Sequence, residues 1–386
     1  MFYKIISAIV IPLLLVITAM IVIAYARGYR LNTKNPGLSS TGILVATSEP
    51  NGAQVYVNGE FSGATNSNIN LDPGNYDITI TKECYHDWSR TMRVQGEVVV
   101  TTGATLFLKN PGLAPLTATG VQDPIISSDM TKIAYIASPS AKGIVGKNLF
   151  ESTIETPTLF VYDLTGRSLP FSKNPQPYTG TRAQLLQEWE LEAQIAHDIA
   201  VAGLPAVVAN TATESMRLIS FSPDGTKLLY EATVSAMLER TINPPLIGSR
   251  TNNDVRNLDP HEFYVYDAKE DRNYRITEQL GMRADDLRQT ADVHDVVELT
   301  GSPDRTSRKF EPLPVFWFGT SQHMVLVGNN TISIMEFDGG NKTLVYSGPF
   351  ENGYVFPHVS GHQLIIMTTF NPEASLAPSL YTLNLR

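Results

Sequence analysis

Apolar positions follow three regimes along the chain. Ile5 to Ala26 is an apolar run without a single charged residue. At 1.5 Å of rise per residue it reaches about 33 Å as a helix, enough to cross a bilayer core. It predicts one transmembrane anchor over residues 1–27, and Pro12 is compatible because membrane helices accept proline better than soluble ones. Ala24-Tyr25-Ala26 also fits the A-x-A site of a cleaved signal peptide, although such apolar regions usually run only about 7–15 residues. No Cys follows the run, which argues against a lipoprotein.

The second regime alternates. Ala53-Gln54-Val55-Tyr56-Val57 and Tyr76-Asp77-Ile78-Thr79-Ile80 have the period of two of half-buried strands. Asn58-Gly59 predicts a tight hairpin, since both residues suit positive φ. Asp72-Pro73-Gly74 predicts a second turn, with Gly74 expected in the left-handed position. Arg90–Gln95, Val98–Thr101 and Thr105–Leu108 supply further short strands. Residues 42–110 thus read as a small antiparallel, sandwich-like β domain. Asn32 to Ser40, rich in Asn, Gly, Ser and Pro, reads as part of a linker over residues 28–41.

The third regime, residues 111–386, repeats one phrase. A strand end, a tight turn and an apolar strand recur at Ser127–Tyr135, Phe221–Tyr230, Trp317–Val327 and Pro357–Ile366. A second apolar strand follows each, at Leu159–Asp163, Phe263–Asp267, Thr331–Met335 and Ser379–Leu383, and the unit tends to end at Asp or Asn. At about 40–45 residues per four-stranded blade this length holds about six blades, of which four are readable. A helical insertion is expected over about 182–203, with Leu185, Leu186, Trp189, Ala193, Ala196 and Ile199 near one face. It is either a helix packed over a blade or a partner-binding helix on the rim. Asn243–Asn257 and Ala284–Lys309 read as polar, solvated loops.

Two family resemblances follow. Pro50-Asn51-Gly52-Ala53, Val55 to Gly59, Leu71-Asp72-Pro73-Gly74-Asn75-Tyr76 and Lys82-Glu83-Cys84-Tyr85 resemble, in order, the motifs of the PEGA domain. Asn51 replaces the family's Glu, and Cys84 stands where Gly is usual. The resemblance implies a surface interaction or spacer module and brings no catalytic residues. Phe221-Ser222-Pro223-Asp224-Gly225 followed by an apolar strand resembles TolB-type and WD-like β-propeller repeats, which implies a propeller-like second domain. The overall expectation is a mainly β protein with an amino-terminal membrane helix.

Charge narrows the partners. The net charge is −9 and charged residues make up 17% of the chain, without a basic patch, so nucleic acid is not an expected partner. The lone Cys84 excludes an internal disulfide framework. Around the apolar run, Lys4 precedes it and Arg27, Arg30 and Lys34 follow. The positive-inside rule taken literally leaves the large domain cytoplasmic, but long domains translocate largely regardless of charge. The PEGA resemblance points outside, and that is the expectation adopted here.

Catalytic signals are sparse. There is no Gly-x-Ser-x-Gly elbow, P-loop or Gly-x-Gly-x-x-Gly. His358 and His362 have the spacing of a metal pair but lie across a turn and lack the Glu of His-Glu-x-x-His. Asp292, His294 and Asp295, like Asp285 and Asp286, fit solvated surface charge better than an acid–base or calcium site. Asp129 and Asp224 fit turn capping. No catalytic, cofactor or metal residue is therefore assigned. Tyr56 and Tyr76 alternate with strand residues and suit packing. Tyr85, His86 and Trp88 are the candidates for exposed contact with a ligand such as a sugar ring, which needs a flat apolar face.

The expectation is a non-enzymatic, membrane-anchored envelope protein, extracytoplasmic in bulk, that meets an envelope protein or a cell-surface glycan. Two alternatives stand beside it. One is a propeller enzyme of lyase or glycosidase type with convergent carboxylates, His or Arg in the central funnel. The other is a sensor or assembly scaffold that couples the outer domains to a membrane partner. Only Met1 to Lys4 precede the span, and the span has no charge or Gly-x-x-x-Gly to specify that partner.

Overall fold

Strand periodicity becomes burial in the first unit. The computed structural model describes residues 2–26, 29–31, 38–117, 120–137, 158–166, 175–246, 248, 250–281, 314–351, 354–369 and 377–386. Contacts divide the chain into two units, Met1–Leu106 with Ile247–Thr251, and Phe107–Leu246 with Asn252–Arg386.

Helix α1 spans Phe2–Ala26 and includes Pro12. Its side chains are described over residues 10–23, and all of these are exposed. Among the described residues no helix is long and apolar enough to cross a membrane. The anchor expected over residues 1–27 is therefore not part of what the fold establishes. After α1, Tyr29–Leu31 pairs antiparallel with Leu38–Ser40, so part of the expected linker is strand.

The rest of the first unit is built around a four-stranded sheet in the order Glu60–Ala64, Gln54–Val57, Gly74–Thr81, Trp88–Val94. Gly42–Ala46 lies between Ser67–Leu71 and Val99–Thr101 in a second sheet. The expected all-antiparallel pattern needs correction, because Val99–Thr101 and Ala104–Thr105 run parallel to Gly42–Ala46 and Ser48–Glu49. The physical reason is the connection: the whole four-stranded sheet lies between the paired segments, and parallel pairing requires such a long return. Leu44, Val55, Ile78, Ile80, Trp88 and Val100 share the core. Each buried aliphatic of this kind contributes about 1.5–3 kcal/mol.

In the second unit the repeated phrase becomes four antiparallel four-stranded sheets. Sheet I is Val121–Ile126, Lys132–Ala137, Thr158–Asp163 and Gln176–Pro177. Sheet II is Met216–Phe221, Lys227–Ala232, Phe263–Asp267 and Arg272–Arg275. Sheet III is Val315–Trp317, His323–Gly328, Thr331–Glu336 and Thr343–Ser347. Sheet IV takes Val355–Pro357, Gln363–Thr368 and Ser379–Asn384 from the end of the chain, and its outer strand, Gly112–Pro115, from the start of the unit.

Packing runs in sequence from sheet II through III and IV to I. Sheet II packs on III through Phe263, Val265, Trp317 and Met335, and III on IV through Val325, Ile334, Leu364 and Ile366. Sheet IV packs on I through Phe356, Ile365, Tyr135 and Val121. The central strand Lys227–Ala232 is buried at every position, which is why Leu228, Leu229 and Tyr230 run together without an alternating polar residue.

Where about six blades are expected from length, the described residues form four such sheets. Between I and II the chain instead builds two helices, α2 (Arg182–Ala202) and α3 (Ala206–Ser215). Thr181 and Gln184 form a reciprocal capping box at the start of α2, and Gly203 ends it. α3 has no sequence expectation behind it; its apolar residues are only Ala and Val, and Pro205 sits at its cap. The loop expected to be solvated around Asn243–Asn257 is partly fastened. Arg256 pairs with Asp254 and with Asp271, which is 2% exposed and accepts the amides of Thr241 and Ile242. Ala284–Lys309 lies outside the described residues.

Candidate interaction surfaces

In the PEGA-like unit the turns hold one another. Asn58 (φ 51°) and Gly59 (φ 81°) make the predicted hairpin turn, and the Asn58 side chain accepts the amide of Asp77 at 2.9 Å. Lys82 Nζ donates to the carbonyls of Asn51 and Gly52 at 2.9 and 3.4 Å, so the fourth motif ties down the first. Cys84 sits at φ 67°, a conformation that favours glycine. Gly74 corrects an expectation: it is not left-handed but opens a strand, and the Tyr76 ring lies over it while Tyr76 donates its hydroxyl proton to Asp72 O.

The three contact candidates separate. Tyr85 and His86 are half-buried beside the turn, and Tyr85 packs against the core. Trp88 corrects the expectation of exposure. It begins a strand, faces inward and is 2% exposed, so it is core and cannot offer a face to a ligand. The large indole fills the space beneath Val55 and Ile80 in the same cluster, and inward alternation from the start of the strand dictates that direction.

Among the described residues of the second unit one turn recurs four times. Its first residue is Ser127, Ser222, Phe318 or His358. In each, that residue's amide donates to the carbonyl five positions on, at 2.9, 2.9, 2.9 and 3.2 Å. The fourth residue is left-handed each time: Met130 (59°), Gly225 (67°), Ser321 (57°) and Gly361 (66°). In sheets I and II a carboxylate completes the turn. Asp224 accepts from the Ser222 hydroxyl (2.7 Å) and from the Thr226 amide and hydroxyl (3.1 and 2.8 Å), and Asp129 does the same with Ser127 and Thr131. Burial opposes the charge on Asp224. The hydrogen bonds and Lys227 outweigh it and hold the carboxyl below the usual range. The two aspartates are therefore turn caps.

The sixth residue of each turn faces the end of the next strand: Lys132 opposite Asp163, Lys227 opposite Asp267, His323 opposite Glu336 and Gln363 opposite Asn384. Gln363 and Asn384 are hydrogen-bonded, and Lys227 Nζ lies 4.0 Å from Asp267 with both side chains buried. Glu336 and Asn384 were missed in the sequence because each falls one residue past the apolar run. The signal is the polar residue six places into the turn. Neighbouring turns also meet. Asp224 N donates to Ser321 Oγ at 3.0 Å, and a Cβ on Gly319 would come within 3.1 Å of the His358 carbonyl.

Metal and acid–base geometry is not assembled on this surface. His358 Nδ1 accepts the Ser360 amide at 3.1 Å, and His362 Nδ1 faces Arg386 Nη1 at 3.0 Å, so each ring is engaged by its own neighbours. Burial, then the nearby His362, lowers the pKa of His358. Among the described residues no three His, Cys, Asp or Glu side chains are grouped to hold a metal ion. Asp285, Asp286, Asp292, His294 and Asp295 lie outside the described residues.

The helical pair offers a different surface. Leu185 and Trp189 of α2 are buried with Ile125 and Ala134 of sheet I, and His197 lies edge-on to Phe221 of sheet II at 5.6 Å. Val208 and Ala212 of α3 pack under sheet II. Ala193, Ala196 and Ile199, expected on the buried face, are exposed, because the helix runs past sheet I after Trp189. Beside α3 lies an open cavity of about 340 Å³, bounded by Val207, Thr211 and Glu214 on one side and by Met237 and Glu239 on the other.

Residues 41–110 match the PEGA domain. This is the stretch whose turns interlock as described above. No curated relative matches the chain. Among solved structures, the chain is similar to a putative TolB from Agrobacterium tumefaciens (10% identity, 86% of this chain and 79% of that one, TM-score 0.20). It is also similar to the Pyrococcus horikoshii acylaminoacyl peptidase (11%, 76% and 33%, TM-score 0.18). A third is the Myceliophteria thermophila Cps50 (Swd1) β-propeller domain (10%, 69% and 73%, TM-score 0.17). The chain spans about a third of the peptidase. The propeller-like description of the second unit rests on its own strand order and shared outer strand, not on these likenesses.

Proposed function

We propose that this protein is a non-enzymatic interaction scaffold held at the cell membrane by α1, with its PEGA domain and its propeller-like unit outside the membrane. The observation that carries the reading is the order of parts: an apolar helix, then directly a PEGA domain, then a rigid array of sheets whose turns are filled by their own hydrogen bonds. Such an array presents loops and inserted elements to a partner, an envelope protein or a cell-surface glycan. Tyr85 and His86, half-buried beside an exposed turn, remain the contact candidates on the PEGA domain.

Cys84 provides the test, since it is exposed and is the only cysteine of the chain. Intact cells are treated with a membrane-impermeant maleimide, with Cys84→Ser as the blank. Labelling without lysis is expected. Labelling only after lysis overturns the outside placement, and recovery of the whole chain in the soluble fraction overturns the anchor.

A further inference from the structure

The helical pair between sheets I and II carries an apolar surface that no described residue covers. Every residue from Glu190 to Ile199 of α2 is exposed. Within that stretch Leu191, Ile195 and Ile199 recur every four residues and so form one row along the helix. They are 62%, 52% and 68% exposed. Single exposed apolar side chains are ordinary on a protein surface, but an aligned row is a docking feature. The same helix buries its other face through Leu185 and Trp189, so the row is not the helix's attachment to the sheets.

Charge says what fits the row. At helical spacing Glu188 and Asp198 fall beside it and Glu192 at its edge, and Arg182 is the one Lys or Arg in α2. Asp198 accepts a hydrogen bond from Gln194 at 2.8 Å, which leaves its charge uncompensated. Around the cavity beside α3 the charged lining residues are again carboxylates, Glu214 on α3 and Glu239 on the facing wall, and Met237 on that wall is 67% exposed. A second copy of this chain would set acid against acid across the row, which is repulsive. A helix with its own apolar row and flanking Lys or Arg meets both features favourably.

We propose that the outer face of α2 docks a basic amphipathic helix of a partner protein. Its apolar row lies on Leu191, Ile195 and Ile199, and its cations pair with Glu188, Glu192 and Asp198. This rests on the scaffold reading above but not on the side of the membrane.

The test titrates the full chain, in mild detergent, into a fluorescent synthetic Leu/Lys amphipathic helix and into its Leu/Glu twin, and follows anisotropy. Saturable binding of the Leu/Lys helix is expected, at least about tenfold tighter than the twin. Ile195→Asp should abolish it. The triple change Glu188→Gln, Glu192→Gln, Asp198→Asn should weaken it about tenfold and flatten its salt dependence. All these positions are exposed, so circular dichroism and melting should match the parent. Equal binding by parent and Ile195→Asp, or no preference between the two helices, overturns the proposal. So does concentration-dependent self-association that Ile195→Asp removes, since it makes a second copy the occupant. Maleimide labelling and the peptide titration fail independently of each other.

Discussion

The PEGA domain and the propeller-like unit are both built from short strands and tight turns, yet they specify those turns in different ways. In the PEGA domain each turn is used once and is locked by a named side chain from elsewhere: Lys82 on Asn51 and Gly52, Asn58 on Asp77, Tyr76 on Asp72. In the second unit one backbone turn is used four times, and the side chains change underneath it. Ser-Pro-Asp-Gly in sheet II becomes His-Val-Ser-Gly in sheet IV, while the amide-to-carbonyl bond and the left-handed fourth residue persist. The first strategy makes identity matter at each position; the second makes geometry matter and lets identity drift.

The strongest way to break this comparison is to damage one unit alone. Trp88→Ala empties the PEGA core at a position 2% exposed and should cost about 3–5 kcal/mol. In a calorimetric scan it should lower the transition of the PEGA domain and leave that of the sheets in place; a single transition shifted as a whole would show that the units do not melt separately.

A smaller effect separates geometry from identity. If the left-handed fourth residue is what the repeated turn demands, Gly225→Ala should cost about 1 kcal/mol and Met130→Gly should return about 0.5–1 kcal/mol. Chemical denaturation of each variant checks the signs. A loss with Met130→Gly would mean that the side chain contributes more than the backbone strain costs.

The smallest effect is acid sensitivity, and it divides the four turns. Asp129 and Asp224 have folded-state pKa values below the ordinary carboxylate value. The stabilisation they give is complete above that ordinary value and is lost as pH falls through the lowered one. Between pH 5 and about 2, amide protection relative to the intrinsic rate at each pH should fall at Lys132 and Lys227, whose amides the Ser127 and Ser222 hydroxyls accept, and not at His323 and Gln363, whose turns hold no carboxylate. Asp224→Asn should remove the change at Lys227.

The same contrast explains what the sequence could tell. The PEGA motifs are legible because each residue has its own job, and even the departure at Cys84 marks the place where the backbone is left-handed. The Ser-Pro-Asp-Gly copy is legible for the same reason. The turns of sheets III and IV are harder to read, since Phe318 and His358 occupy the place of Ser222 and only hydrogen bonds reveal the equivalence. Three features escaped altogether. The burial of Trp88 is not signalled, because it is the first residue of its strand and directly follows the polar pair His86 and Asp87. Val99–Thr101 was read as antiparallel because periodicity carries no direction. The outward row of α2 is not marked in the sequence: Ile199 falls with Leu185 and Trp189 on the expected face while Leu191 and Ile195 do not, because a helix that outruns its support keeps an apolar pattern on more than one face. Those residues carry the proposed docking surface, and no property of the helix by itself distinguishes the face that meets sheet I from the face that meets a partner.

Sheet IV holds a consequence for how the protein comes into being. Ala114 on its outer strand lies 268 residues before Thr382, whose hydroxyl donates to the Ala114 carbonyl. A ribosome that adds about 5–20 residues per second leaves the early strand waiting roughly 15–50 s for its mate. Through that interval Gly112–Pro115 is a loose end, and the strand Ser379–Asn384 is the one that fastens it. Ribosome stalling or truncation before Ser379 therefore leaves both sides of sheet IV unstitched at once, which makes the interval before Ser379–Asn384 emerges the one most open to chaperones and proteases.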